Sequence, residues 1–194
     1  MQDFQSARAR CREFILNGIK IAYGSMRVRR YRAAAFGKQP VILGKVRFRF
    51  RGTVHIGDKF MVEGTTAAVT IEVARDAALS MGNGCYMNTG SSIEVHNEVR
   101  IGDHALIAPF ASIVDDDRHE VEPGSSWTKG PIIVGNNVWL GRNVAVLPGT
   151  RIGDGSVIGA NSVVSRDIPP NCFAAGAPAR VIRKLEIPEG WVRW

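Results

Sequence analysis

The sequence predicts an all-β fold, a prism of short parallel strands wound into a β-helix, with an α-helix before it and a short helix after it. Three observations predict it: an aliphatic residue at every sixth position, a glycine directly behind four of the six (Gly135, Gly141, Gly153 and Gly159), and 21 glycines in a chain with few aromatics. From Val134 the chain reads VGNNVW, LGRNVA, VLPGTR, IGDGSV, IGANSV and VSRDIP. Val134, Leu140, Val146, Ile152, Ile158 and Val164 lead the six blocks. An aliphatic residue at that spacing fits a coil of three flat faces, each one a short strand and a turn. The lead residue fills the prism. The fifth positions (Val138, Val144, Thr150, Ser156, Ser162 and Ile168) also point inward near a corner and are small or slim. Gly, Asn and Asp occupy turns because they tolerate positive φ. Successive coils pair about 4.8 Å apart. A β-sandwich also has short strands, but its spacing is not locked to six.

The elements follow in chain order. Residues 1–40 form a basic helical segment. Phe14, Ile15, Ile19 and Ala22 lie near helical spacing and predict a helix over about 3–23, ended by Gly24. This helix would cap the open first coil, whose strand edges are otherwise exposed. The segment holds nine Lys/Arg against Asp3 and Glu13, which accounts for the whole net charge of +7. Such a segment is either a solvated basic face or a contact for an anionic membrane surface, a nucleic acid or an acidic polymer. No zinc finger, RNP pattern or interleaved aromatic set accompanies it, so no nucleic acid is expected.

The β-helix is expected over 41–175. An alternation from Val46 starts it. Ile56, Val62, Met81, Met87, Ile93, Ile101, Ile107 and Ile113 continue the lead positions. The spacing of eight between Ile93 and Ile101 places a two-residue insertion at a corner. The register breaks after Ile113, so 114–131 is a projecting loop. In the C-terminal segment, 176–194, prolines break the pattern and Arg180 to Leu185 is expected as a short helix. No apolar run of about 20 residues is present, so no membrane span is expected. Met1 to Arg12 lacks the apolar core of a signal peptide. Cys11, Cys85 and Cys172 are odd in number and widely spaced, which argues for reduced thiols rather than disulfides or a zinc site.

The run from Asn136 to Leu185, NNVWLGRNVAVLPGTRIGDGSVIGANSVVSRDIPPNCFAAGAPARVIRKL, resembles the C-terminal signature of the hexapeptide-repeat acyltransferases. The similarity is greatest to the sugar O-acetyltransferases, including galactoside, maltose and polysaccharide-modifying members. The resemblance implies a left-handed β-helix. Handedness does not follow from the repeat itself, since parallel crossovers are nearly always right-handed. It also implies acetyl-CoA as acyl donor and a homotrimer with active sites between subunits.

Several residue roles come with it. The family places its catalytic histidine in the loop before the VWIG coil, and His119 is the only histidine in VDDDRHEVEPGSSWTKGPII. His119 is therefore expected as general base, taking the proton of a sugar hydroxyl as it attacks the thioester. The Arg142 backbone N–H is expected as oxyanion donor. Asp115, Asp116 and Asp117 orient the imidazole, bind the sugar, or form a solvated acidic turn. Asp117 is assigned to the catalytic group and Asp115 to the acceptor. Asn88 and His96 are expected at the acceptor, and Trp139 walls the site beside both acceptor and CoA. Gly141, Arg142, Ala160 and Ser165 are expected along CoA. Arg166, Arg180, Arg183 and Lys184 are expected to cluster at its phosphates. His104 fills a turn slot and His55 points outward. The family's carbonic-anhydrase relatives need zinc histidines with an H-x4-H pair. That spacing does not occur here, so no metal is expected.

The reaction so implied is acetyl-CoA-dependent O-acetylation of a sugar or of an envelope or capsular glycan. N-acetylation of a nucleotide-linked amino sugar is the alternative, and a non-catalytic β-helix scaffold is the third reading. The expected location is the cytoplasm, with contact at the inner membrane face drawn from the basic segment.

Overall fold

The structure is a computed structural model that describes residues 18–29, 31 and 34–193. The expected left-handed β-helix is the architecture. Six parallel strands make the first face: β1 (Ala34–Phe36), β3 (Thr53–Ile56), β5 (Ala78–Met81), β8 (Glu98–Ile101), β11 (Ile132–Val134) and β14 (Arg151–Ile152). The other two faces belong to one bent sheet. Two long strands, β2 (Val41–Phe50) and β4 (Met61–Val73), run around the corner between them. The first part of β4 pairs with β6 (Tyr86–Met87) on the second face, and its last part pairs with β7 (Ser92–Val95) on the third.

Above β6 the second face continues with β9 (Leu106–Ile107), β12 (Trp139–Leu140), β15 (Val157–Ile158) and β17 (Cys172–Gly176). The third face adds β10 (Ser112–Val114), β13 (Ala145–Val146) and β16 (Val163–Val164) above β7. The repeat works as its spacing predicts. Ile42, Val62, Met87, Ile107, Leu140, Ile158 and Ala174 stack in register down the second face, none more than 1% exposed. The fifth positions are buried too. Their hydroxyls are satisfied by nearby carbonyls: Thr150 Oγ1 donates to Leu147 O (2.8 Å), Ser156 Oγ to Pro169 O (2.7 Å) and Ser162 Oγ to Gly159 O (2.7 Å).

One corner carries a ladder that the periodicity did not reveal. Lys38, Asp58, Asn83, Asp103 and Asn136 each donate a backbone N–H to the side-chain oxygen of Asp58, Asn83, Asp103, Asn136 and Asp154, at 2.6–2.9 Å. The residues one step on, among them Gln39, Lys59, His104 and Asn137, have positive φ. His104 thus occupies a turn slot and His55 is exposed, both as expected.

Two expectations are corrected. The N-terminal helix, α1, spans 18–28 among the described residues and runs through Gly24 instead of ending there. A Cβ on Gly24 would collide with the Pro40 carbonyl. The glycine serves close packing of helix on strand, not termination. The part of the expected helix before residue 18 lies outside the described residues, as does Cys11. Capping of the first coil is observed: Arg27 Nη1 donates to Gly44 O (2.8 Å) and Ile42 O (3.4 Å) on β2. An aromatic cluster fills the prism beneath, with Tyr31 and Phe48 centroids 5.3 Å apart and Phe48 and Phe50 5.6 Å apart.

The second correction is at the other end. Arg180 to Leu185 is not a helix: Ala179–Lys184 is a strand, β18, antiparallel to β17. The edge of β17 presents unpaired backbone groups, which a strand can satisfy and a helix cannot. Beyond it, the chain is clipped back to Asn137, whose Nδ2 donates to Trp191 O (2.9 Å) and whose Oδ1 accepts from Arg193 N (3.0 Å).

Candidate functional site

The structure sorts the expected site residues into two groups. One stands on the second face and its corner with the third. Outward on that face, Val41, Met61, Tyr86, Leu106, Trp139, Val157 and Phe173 form one column. Trp139 is 42% exposed. Asn88 and Gly141 follow Met87 and Leu140 on the same face, each donating its N–H to the coil above, to Ile107 O and Ile158 O. At Gly141 the coils approach closely: a Cβ there would lie 2.7 Å from Ile158 O and 2.9 Å from Ala160 N.

The Arg142 N–H has no hydrogen-bond partner among the described residues. This sets it apart from the turns of the Asx ladder, where Asp103 and Asn136 donate upward to side-chain oxygens. The Arg142 guanidinium lies over the Phe110 ring, 5.6 Å from its centroid. Its bulk is thus folded onto the coil below, toward a neighbouring ring.

The basic residues divide. A register shift in β18 pairs Phe173 with Arg183 and Ala175 with Arg180. Directly paired residues share a side of the sheet, so Arg180 and Arg183 stand on the outer side with Phe173. The Arg183 guanidinium lies 6.0 Å from the Phe173 centroid. Arg166 does not join them. It follows β16 at the far end of the third face, together with Ser165. The expected four-residue cluster is therefore corrected to Arg180 and Arg183, since Lys184 pairs with the buried Cys172 and so faces the other side.

The second group occupies the corner between the third and first faces. The insertion at His96–Asn97 lies there between β7 and β8, as the spacing of lead residues predicts. One coil higher, the loop 114–131 leaves β10 and returns at β11. His119 and Asp117 are exposed on this loop. The loop base is tied: Gly130 N donates to Asp115 O (3.1 Å), and Asp117 N to Thr128 O (3.0 Å). Asp116 is largely buried, and its Oδ1 accepts from Arg118 N (2.9 Å), a turn bond within the loop.

Asp115 is fully buried. Its Oδ1 accepts from His96 N (2.7 Å) and its Oδ2 from Asn97 N (2.8 Å). The expected acceptor contact for Asp115 is corrected. Both oxygens are engaged in bracing the corner beneath the loop. His96 is half-buried beside it.

In a three-faced prism, the corner bearing His119 is opposite the face bearing Trp139, Asn88 and Gly141. One chain therefore does not bring the imidazole to the Arg142 N–H. Two features were not visible in the sequence. Tyr86 Oη donates to Glu63 Oε2 (2.8 Å), one coil below Asn88. Burial, reinforced by Glu63, pushes the Tyr86 phenol up to about 12, so it remains a donor at neutral pH. Cys85 is buried, and that burial pushes its thiol up to about 11, far from a reactive thiolate.

A family model for the bacterial transferase hexapeptide (six repeats) matches residues 131–166. The galactoside O-acetyltransferase of Escherichia coli K12 is 44% identical over 110 residues, 55% of this chain and 54% of that protein. The chain thus spans about half the length of the curated relatives it matches. Among solved structures, a hexapeptide-repeat acetyltransferase from Vibrio cholerae superposes with a TM-score of 0.60 at 30% identity, over 69% of this chain and 74% of that one. A galactoside acetyltransferase in complex with coenzyme A superposes with a TM-score of 0.59 at 39% identity, over 68% and 64%.

Proposed function

Because the chain belongs to the hexapeptide-repeat acyltransferase family, we propose that it is an acetyl-CoA-dependent O-acetyltransferase acting on a hydroxyl of a sugar or glycan. The observation that carries the reading is the Arg142 N–H, unpartnered among the described residues beside the exposed Trp139. A backbone donor left free at a site of close coil packing is what a developing oxyanion needs, and one such donor is worth about 10²–10³ in rate. The galactoside O-acetyltransferase relative and the coenzyme A complex named above support the donor and the acceptor class.

The site is assembled between two copies of the chain. His119 of one protomer meets the Trp139 face of its partner, which supports a closed cyclic trimer. His119 takes the proton of the acceptor hydroxyl as its oxygen attacks the thioester carbon. The Arg142 N–H donates to the carbonyl oxygen as it becomes an oxyanion. Collapse of the tetrahedral intermediate breaks the C–S bond, and the CoA thiolate recovers the proton from the imidazolium. Asp117 orients the imidazole, while Asn88 and His96 hold the acceptor. Trp139, Gly141 and Ala160 flank the pantetheine arm. Arg180 and Arg183, with Ser165 and Arg166 across the interface, receive the CoA phosphates.

The experiment is release of free CoA thiol with a panel of hydroxy and amino sugars, with products weighed by mass spectrometry. Ester products with galactosides are expected. Amide products on amino sugars alone would replace this reading with the N-acetyl one. No detectable CoA binding would leave only a scaffold.

The basic N-terminal segment is proposed to attract the protein weakly to anionic lipid. Among the described residues, no helix is long and apolar enough to cross a membrane. On α1, Ile19, Tyr23 and Met26 are 50–62% exposed and share one side, with Lys20 bordering them, the pattern of a helix lying in an interface. Sedimentation with phosphatidylglycerol vesicles is expected to fall on raising the salt and on deleting residues 1–32. Pelleting insensitive to both would refute the contact.

A further inference from the structure

The outer column of the second face does not end at the acceptor residues. Below Tyr86 it continues through Met61 and Val41. There the chain forms a cavity of about 320 Å³ between α1 and the first two coils. Its floor is apolar, made by Ile21, Val41, Leu43 and Met61. Lys20, Lys59 and Gln39 supply its polar side, and no Asp or Glu lines it among the described residues. Lys20 and Lys59 are both exposed, so neither cation is committed to the packing of α1.

The cavity joins the proposed acceptor site directly. Met61 is the strand partner of Tyr86, and Leu43 is the partner of Glu63, whose carboxylate accepts from Tyr86. From Met61 up to Trp139 the column climbs three coils, through Tyr86 and Leu106. At one coil per strand spacing that is about 14 Å. A glycan lying along this column would have one end at the thioester and the other at the cavity mouth.

We propose that this cavity is a subsite for the non-reacting end of the acceptor, and that this end is hydrocarbon joined to the glycan through a phosphate. The inference rests on the sugar O-acetyltransferase reading of the face above it. Chemistry selects the ligand. A neutral glycan end could accept hydrogen bonds from two uncommitted ammonium groups but would leave their charge unpaired. A free inorganic anion would gain nothing from four apolar side chains. A phosphate beside hydrocarbon uses both: each methylene removed from water strengthens binding, and the lysines supply charge-assisted bonds.

The test uses the full chain and decyl phosphate as probe, read by calorimetry, with inorganic phosphate and octyl glucoside as separate arms. Saturable binding of decyl phosphate is expected, at least tenfold tighter than either comparison probe. Met61→Glu and Lys20→Glu are each expected to weaken it at least tenfold. Lys20 is an exposed helix position, so that variant keeps the test decisive if Met61→Glu lowers the melting temperature. Equal binding of inorganic phosphate would reduce the cavity to an anion site and overturn the proposal. Equal binding by wild type and variants would overturn it as well. So would binding only above the concentration at which decyl phosphate forms micelles, because that would be docking on an amphiphile surface. Thiol release with a simple galactoside separates the two levels. If it proceeds while decyl phosphate does not bind, the subsite falls and the acetyltransferase reading stands.

Discussion

Replacing His119 by glutamine is expected to lower turnover about 10²–10⁴-fold, the usual contribution of a positioned general base. Glutamine keeps much of the size and hydrogen-bonding capacity of the imidazole and cannot take the proton. The side chain is exposed, so the variant keeps its fold and melting temperature. The loss should fall on kcat, with CoA affinity little changed, because Trp139, Gly141, Arg180 and Arg183, expected along CoA, lie on a different face. The split arrangement makes a sharper version of the test available. Arg142→Pro deletes the proposed oxyanion donor, and such a chain should be inactive by itself. Co-expressed His119→Gln and Arg142→Pro chains should regain thiol release, since some interfaces then combine an intact imidazole with an intact N–H. A His119→Gln enzyme with wild-type kcat removes the base from His119. An inactive mixture, from chains that demonstrably co-assemble, removes the split site.

The coils were legible in the sequence because one physical demand repeats at each of them. Every lead position from Ile42 to Ala174 on the second face must fill the same narrow interior, so the chain states the demand over and over. The corner insertion at His96–Asn97 was legible for the same reason, as a break in a fixed count. The failures occur where the repeat is silent. Gly24 reads as a helix stop when only local rules apply, and its purpose emerges only with Pro40 packed against it. Arg180 to Lys184 has the charge of a helix end, but the unpaired edge of β17 is a tertiary fact that no local pattern carries. The register shift in β18 then restores part of what the helix was expected to supply, by setting Arg180 and Arg183 on one side.

The candidate site was legible as a set of residues, not as an arrangement. His119, Trp139 and Arg142 could be named from the resemblance. That they lie on opposite sides of a single prism follows only from which strands each one adjoins. The Glu63–Tyr86 pair had no signal at all. Its members are 23 residues apart and meet because coils stack, not because the sequence spaces them in any motif.

Asp115→Ala is the second large effect, and it separates two roles for one carboxylate. The alanine variant loses two hydrogen bonds, of 2.7 and 2.8 Å, from the His96 and Asn97 N–H groups. Hydrogen bonds to a charged acceptor contribute about 1.5–3 kcal/mol each. His96 and Asn97 are half-buried, so water recovers part of that loss. A net destabilisation of about 3 kcal/mol is expected, enough to lower the melting temperature by about 10 °C in a protein of this size. Asp115→Asn keeps one acceptor oxygen but turns an NH2 toward the second N–H, so it recovers at most part of the stability. The corner also carries the loop, since Gly130 N donates to the Asp115 carbonyl (3.1 Å). Loosening it should cost kcat through the position of His119. A carboxylate that held the acceptor would behave differently: the alanine variant would melt like wild type and show only a raised KM for the sugar. Thermal unfolding alongside thiol-release kinetics distinguishes the two. An unchanged melting temperature with a raised KM would return Asp115 to the acceptor pocket, where the sequence alone had placed it.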